Sequence, residues 1–94
     1  MKISELKFNI KKQGPHHSSY QALLKVNEEY ELSILKPIDG KEHYYCHANE
    51  GQYEVGVLKN GEFEDCYDDD ANDGVFDYCT EEKVLELIER FKNK

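Results

Sequence analysis

The chain has 94 residues, 20 of them acidic and 12 basic, which gives a net charge of −8 at pH 7. This length fits a single domain with one modest core, and the negative charge argues against direct binding of nucleic acid, which needs clustered cations. No apolar run approaches the roughly 18 residues of a membrane span, and the first residues lack the apolar core of a secretory signal. We therefore expect a cytoplasmic protein, and the three cysteines, without a CxxC pair, favour reduced thiols.

The first dozen residues fit two patterns of apolar spacing. Leu6, Phe8 and Ile10 alternate as they would in a strand, whereas Ile3, Leu6 and Ile10 share one face of a helix. We favour a short N-terminal helix over residues 1–12, with a strand as the alternative.

The segment YQALLKVNEEYELSILKP predicts a first β-hairpin around the three-residue loop Asn27–Glu29. In this register apolar residues meet on one face and opposite charges meet on the other, which makes the register self-consistent. Pro37 then ends the second strand, because proline cannot donate to a ladder. The predicted cross-strand pairs are Val26 with Tyr30, Leu24 with Leu32, Ala22 with Ile34 and Lys25 with Glu31.

The segment QYEVGVLKNGEFEDCY predicts a second hairpin, because Asn60-Gly61 is a strong signal for a tight type I′ turn. The intervening residues 38–51 are polar and loop-like, with room for one short extra strand at Tyr44–His47. The predicted cross-strand pairs of this hairpin are Leu58 with Phe63 and Val55 with Cys66.

A C-terminal helix is predicted to begin after Thr80, whose hydroxyl suits an N-cap. The apolar residues that follow recur at helical spacing and define one buried stripe. The expected architecture is a single α+β domain, in which a four-stranded antiparallel sheet of two hairpins carries this helix on one face and leaves the other face open. The stripe consists of Val84, Leu87, Ile88 and Phe91.

The stretch EFEDCYDDDANDGVFDY, residues 62–78, contains eight carboxylates and no Lys or Arg. Mutual repulsion should cost stability, so the run is either a solvated face that keeps the protein soluble or a surface for a basic partner. Interleaved aromatic residues favour a contact surface for a basic, nucleic-acid-binding protein. The predicted partner-binding residues are Glu62, Glu64, Asp65, Tyr67, Asp68, Asp69, Asp70, Asp73, Phe76 and Asp77.

Two metal sites are weaker alternatives. The segment DDDANDG offers Asp68, Asp70 and Asn72 to calcium, but in either register it lacks the bidentate glutamate of an EF-hand. The segment HYYCH contains three possible zinc ligands, His43, Cys46 and His47, but the sequence shows no second pair of ligands to complete the site.

No motif of a known catalytic mechanism is present, although a Cys–His nucleophile is compatible with the composition. We therefore expect neither an enzyme nor a cofactor.

Three segments in order, YELSIL, YEVGVLKNG and DDANDGVFDYCTEEKVLELI, resemble small acidic proteins of bacteriophages and prophages. The resemblance covers residues 30–35 and 53–88, while the insert 38–51 and the heavier acidic run depart from the pattern. It implies a phage context and an inhibitor of host defence, such as an anti-CRISPR protein or a nucleic-acid mimic. An immunity-type inhibitor of a basic toxin nuclease is the alternative. No functional residue carries over from this resemblance.

Overall fold

The computed structural model describes residues 2–64, 68–72 and 74–94, which form one antiparallel sheet of six strands and one α-helix. Strands β1 to β4 are neighbours in chain order, and the second edge of β4 pairs with both β5 and β6. Within the described ranges, no helix combines the length and the apolar character that crossing a membrane requires. The elements are a 3-10 turn at Ile3–Glu5, β1 Asn9–Lys12, β2 Ser18–Lys25, β3 Tyr30–Pro37, β4 Tyr53–Lys59, β5 Glu62–Phe63, β6 Val75–Cys79 and α1 Glu81–Lys92.

The predicted α+β class, with the C-terminal helix packed on the sheet, is confirmed, but the predicted number of four strands is wrong. One additional strand is β1, which pairs with β2, for example through Lys11 and Ser19. The helical interpretation of the N-terminus holds only for the single turn Ile3–Glu5. Pairing with β2 supplies ladder hydrogen bonds to residues 9–12, which an isolated short helix could not match.

The first hairpin has the predicted register: Ala22 pairs with Ile34, Leu24 with Leu32 and Lys25 with Glu31. Its loop is organised by Asn27, whose Oδ1 accepts from the backbone N–H groups of Glu29 at 2.9 Å and Tyr30 at 2.7 Å. The amide nitrogen of Asn27 donates to the carbonyl of Phe91 at 2.9 Å. The hairpin loop therefore also satisfies a carbonyl at the C-terminal end of α1.

The second hairpin has the predicted turn but only one of the two predicted cross-strand pairs. Asn60 and Gly61 have φ of 53° and 85°, as a type I′ turn requires, and Leu58 pairs with Phe63. Val55, however, pairs with Phe76, so its predicted pairing with Cys66 is wrong. Cys66 itself lies outside the described residues, and the strand that occupies this position beside Val55 is β6. Phe76 is 1% exposed, so this pairing places a large ring in the core.

The helix packs its predicted stripe on the sheet. The Thr80 hydroxyl accepts from the Lys83 backbone N–H at 3.2 Å, which confirms the N-cap. All four stripe residues are buried against apolar side chains of β2, β3, β4 and β6, and Cys79 joins the same core. Full burial of each large aliphatic side chain contributes about 1.5–3 kcal/mol, so this contact is the main source of stability.

The opposite face of the sheet is partly covered, which the sequence did not predict. Residues 38–52 fold over it and bury Cys46 and Ala48 against Leu35. In place of the expected strand at Tyr44–His47, the segment forms a tight turn closed by reciprocal hydrogen bonds between His43 and Cys46, at 3.1 and 3.0 Å. Beyond this cover the face remains accessible, as the 56% exposure of Leu23 on β2 indicates.

The Asn60-Gly61 turn provides a test of the fold. A Cβ on Gly61 would meet no atom within 4 Å, so the cost of Gly61→Val arises from the positive φ alone. We expect a loss of about 1–2 kcal/mol of unfolding free energy, measured by denaturant titration. Gly61→Asn is the matched control and should lose less, because Asn tolerates the left-handed region. Equal stability of all three proteins would contradict the turn assignment.

Candidate functional site

The acidic run is held against the helix by basic side chains. Asp70 accepts two hydrogen bonds from the fork of the Arg90 guanidinium, at 2.9 and 3.0 Å, and a further bond from the Lys83 ammonium. Arg90 also donates to Asp68 at 2.8 Å. The bonds from Arg90, and then from Lys83, hold the pKa of Asp70 well below its ordinary value. Counter-ions from α1 thus offset the repulsion expected from the sequence.

This ion-pair cluster is electrically balanced. It joins three carboxylates to three cations, and the net charge of −8 is therefore carried by the rest of the chain. The pairs lie at the surface, so each contributes little to stability, but together they fix residues 68–70 beside the helix. The cluster consists of Asp68, Asp70 and Glu86 with Lys83, Arg90 and Lys94.

The predicted partner-binding residues fall into different environments. Glu62, Glu64 and Asp69 are exposed, whereas Phe76 lies in the core, where its ring presents no surface to a partner. The Asp77 side chain is only 11% exposed and belongs to a second cluster described below. Asp65, Tyr67 and Asp73 lie outside the described residues.

The calcium alternative has no assembled ligand set. Asp68 and Asp70 face the Arg90 guanidinium, and Asn72 donates its amide N–H to Asp77 at 3.0 Å. A guanidinium at this distance occupies the carboxylate oxygens that a calcium ion would need.

The zinc alternative is not assembled either. The ring of His43 is satisfied by protein groups: Nδ1 accepts from the Tyr45 backbone N–H at 3.1 Å, and Nε2 lies 3.1 Å from the carbonyl of Ser18. Cys46 is fully buried, and burial raises the pKa of its thiol to about 11. Among the described residues, His47 instead joins Glu54 and Asp77 in a group of three ligand-type side chains.

A reactive cysteine is also not found among the described thiols. Cys46 and Cys79 are both buried, and burial raises the pKa of each thiol to about 11. A nucleophilic cysteine needs a lowered pKa and access to its substrate. Both thiols therefore serve as small packing groups.

The group of His47, Glu54 and Asp77 is created by a β-bulge. Tyr53 pairs with Cys79 and Val55 with Phe76, so the single residue Glu54 lies opposite two residues of β6. The second of these two, Tyr78, has a φ of 53°, which is unusual for a bulky residue. The bulge keeps residues 76 and 79 in the core and leaves Asp77 beside Glu54 on the opposite face.

The loop 38–52 supplies the histidine of this group. The backbone N–H of His47 donates to Glu54 Oε2 at 2.6 Å, and its carbonyl accepts from the Tyr78 N–H at 2.9 Å. His47 Nδ1 then lies 3.5 Å from Glu54 Oε2 and 3.7 Å from Asp77 Oδ1. All three ligand atoms lie within 4.8 Å of one another.

The two carboxylates of this group are poorly compensated. Asp77 Oδ1 is buried and has no hydrogen-bond partner among the described residues, although Oδ2 accepts from Asn72. Burial, with a further contribution from the charge of Asp77, raises the pKa of Glu54 above its ordinary value. In the described part of the chain no Lys or Arg pairs with either carboxylate. The sequence reasoning missed Glu54, whose only signal was a carboxylate within an otherwise apolar strand.

Comparison with known proteins does not extend these observations: no family profile, curated protein or solved structure matches the chain. Function is therefore inferred from the charge and geometry of the chain's own residues.

The ion pairs of Asp70 predict a specific pH dependence of stability. Because its folded pKa is lowered, Asp70 stabilises the fold fully above the ordinary Asp pKa of about 3.9, and this contribution fades as the pH falls below that value. Asp70→Asn should cost at most about 1 kcal/mol at pH 7, since the pair is exposed, and nothing near the folded pKa.

The matched control is Asp69→Asn, which removes an exposed neighbouring carboxylate that has no ion-pair partner among the described residues. It should leave stability unchanged or slightly raised. Urea titrations of both variants at pH 7 and at low pH make the comparison. If Asp70→Asn were as stable as Asp69→Asn at pH 7, repulsion would outweigh the pairs with Arg90 and Lys83.

Proposed function

We propose that the protein is a small, non-enzymatic binding protein that blocks a basic surface of another protein. Its contact surface is the acidic edge, defined as Glu62, Phe63, Glu64 and Asp69. The observation that carries the proposal is Phe63, which is 69% exposed on β5 and flanked by two exposed glutamates. A large exposed aromatic residue among charges has the character of an interface hot spot.

The carboxylates of the acidic edge suit a cationic partner. Glu62 and Glu64 are two residues apart on an extended chain, which separates them by roughly 6.7 Å. This distance is near the spacing of successive phosphates along a nucleic-acid strand, so the pair can imitate a backbone to a basic groove. Charge complementarity of this kind mainly accelerates association, whereas burial of Phe63 would slow dissociation.

The ion-pair cluster supports this function by ordering Asp69, one of the four residues of the acidic edge, before binding. Asp69 lies between Asp68 and Asp70, both of which are tied to Arg90. An edge already held by the helix loses less conformational entropy when a partner binds. The cluster itself is balanced, so a basic partner would be attracted by the exposed carboxylates around it.

The resemblance to phage proteins supports a class of partner. A basic, nucleic-acid-binding groove of a host defence protein in the cytoplasm, such as a CRISPR effector, has the required charge. A basic toxin nuclease is the second candidate, and an immunity-type inhibitor would use the same acidic edge. Both partners bind nucleic acid, so DNA or RNA should compete with this protein for either of them.

Capture of partners from a bacterial lysate tests the proposal, with the protein immobilised and the eluate analysed by mass spectrometry. We expect a basic nucleic-acid-binding protein that is released by salt and displaced by DNA or RNA. The double variant Glu62→Gln/Glu64→Gln should slow its association, and Phe63→Ala should raise its dissociation rate. Binding kinetics of the identified partner at two ionic strengths measure both effects.

The matched control is Glu50→Gln/Glu89→Gln, which removes the same charge from two exposed glutamates outside the acidic edge. This control should keep the association rate of the parent at low salt, apart from a small effect of net charge. The proposal fails if the control and the edge variant associate equally slowly, or if the captured partner does not distinguish Phe63→Ala from the parent.

A further inference from the structure

We propose that His47, Glu54 and Asp77 bind one divalent transition-metal ion of the Zn²⁺ class. The ligand atoms would be His47 Nδ1, Glu54 Oε2 and Asp77 Oδ1. One ligand-type atom from each of the three residues lies within 4.8 Å of the other two, beside the bulge. This site is independent of the acidic edge, and it differs from the zinc site suggested by the sequence, with which it shares only His47.

The separations between the ligand atoms suit a small ion. Two ligands at 2.0–2.2 Å from a tetrahedral zinc ion lie about 3.4 Å apart. His47 Nδ1 is 3.5 Å from Glu54 Oε2 and 3.7 Å from Asp77 Oδ1. Side-chain adjustments of a few tenths of an ångström would bring both pairs to the zinc distance, whereas the two carboxylates, within 4.8 Å, would close somewhat further.

The burial of Asp77 favours a cation beside its carboxylate. Its Oδ1 is shielded from solvent without a hydrogen-bond partner among the described residues, and the whole side chain is only 11% exposed. An uncompensated buried carboxylate oxygen is costly, and Glu54, at 12% exposure, adds a second negative charge beside it. Asp70 shows how this chain compensates a carboxylate with Arg90 and Lys83, and Asp77 receives no comparable cation in the described part of the chain.

The surrounding hydrogen bonds orient the three ligands. Asn72 holds the second oxygen of Asp77, and the His47 N–H holds Glu54 Oε2, which keeps a further lone pair for a metal. The Tyr78 N–H holds the backbone of His47. Outer contacts of this kind fix ligand geometry in metal sites.

The donor types predict selectivity. One imidazole nitrogen with two carboxylate oxygens suits zinc and related transition metals, while calcium takes six to eight oxygens, and magnesium keeps several waters in an octahedral shell. The His47 side chain is 46% exposed, so water can reach the ion and complete its coordination. Three protein ligands with one open position would be expected.

The experiment uses the full chain after removal of metals with a chelator. Isothermal titration calorimetry with Zn²⁺, Mn²⁺, Ca²⁺ and Mg²⁺, together with thermal melting, measures binding. We expect saturable one-to-one binding of Zn²⁺ with a rise in melting temperature, and no saturable shift with Ca²⁺ or Mg²⁺. Absence of saturable binding by any transition metal would overturn the proposal.

Variants locate the site. His47→Ala and Asp77→Asn should each weaken Zn²⁺ binding at least tenfold, whereas His16→Ala, which removes an exposed histidine outside the group, should bind as the parent does. The exposed His47 side chain can be truncated without opening the core, so this variant remains informative if Asp77→Asn fails to fold. Parent-like affinity of His47→Ala would overturn the assignment.

Cobalt distinguishes this site from the site suggested by the sequence. Co²⁺ bound through nitrogen and oxygen should show weak visible bands without a thiolate charge-transfer band in the near ultraviolet. A strong charge-transfer band that disappears in Cys46→Ser would place the ion at His43, Cys46 and His47 and overturn the proposal.

Discussion

The fold depends on the way β4 is paired along its second edge. Two short strands share that edge, because β5 ends at Phe63 and the next strand to pair there, β6, begins at Val75. The acidic residues Asp68 to Asp70 lie between these two strands in the chain, and β6 places Phe76 and Cys79 in the core beneath the helix. Both candidate sites lie at this interruption of the edge: three residues of the acidic edge lie in or directly after β5, and the other site lies at the bulge of β6.

Two groups of carboxylates lie near this interruption of the edge, and their negative charges are compensated in different ways. On the helix side, Asp68 and Asp70 are neutralised by cations from α1, and the result is a balanced surface cluster on both sides of Asp69 in the chain. On the opposite face, Glu54 and Asp77 are more deeply buried, and among the described residues His47 is the one ionisable group of opposite charge paired with them. The proposed partner surface rests on the first arrangement, and the proposed metal site rests on the second.

Local patterns predicted much of the fold correctly. The register of the first hairpin follows from alternation over neighbouring residues, and the helix follows from Thr80 and a stripe at helical spacing, so both signals lie within short stretches of chain. The pairing of Val55 with Cys66 failed for the opposite reason. The prediction extended the register of the Asn60-Gly61 turn to Cys66, whereas the position beside Val55 is taken by Phe76, which is twenty-one residues away in sequence.

The candidate sites divide in the same way. Glu62, Glu64 and Asp69 could be predicted as exposed from their charge alone, whereas the cations that accompany Asp68 and Asp70 lie more than ten residues away in sequence. Likewise, His47 and Asp77 were predicted as parts of two different sites, and no local sequence pattern connects either residue with Glu54.

The sequence by itself determined the class of the fold, the hairpin turns, the helix and the acidic character of one region, because these properties depend on near neighbours along the chain. Only the tertiary structure decided which carboxylates are neutralised, which remain exposed and which converge on one histidine. The physical reason is that electrostatic compensation depends on distance in space, and here that distance is decided by a bulge and by a loop folded over the sheet.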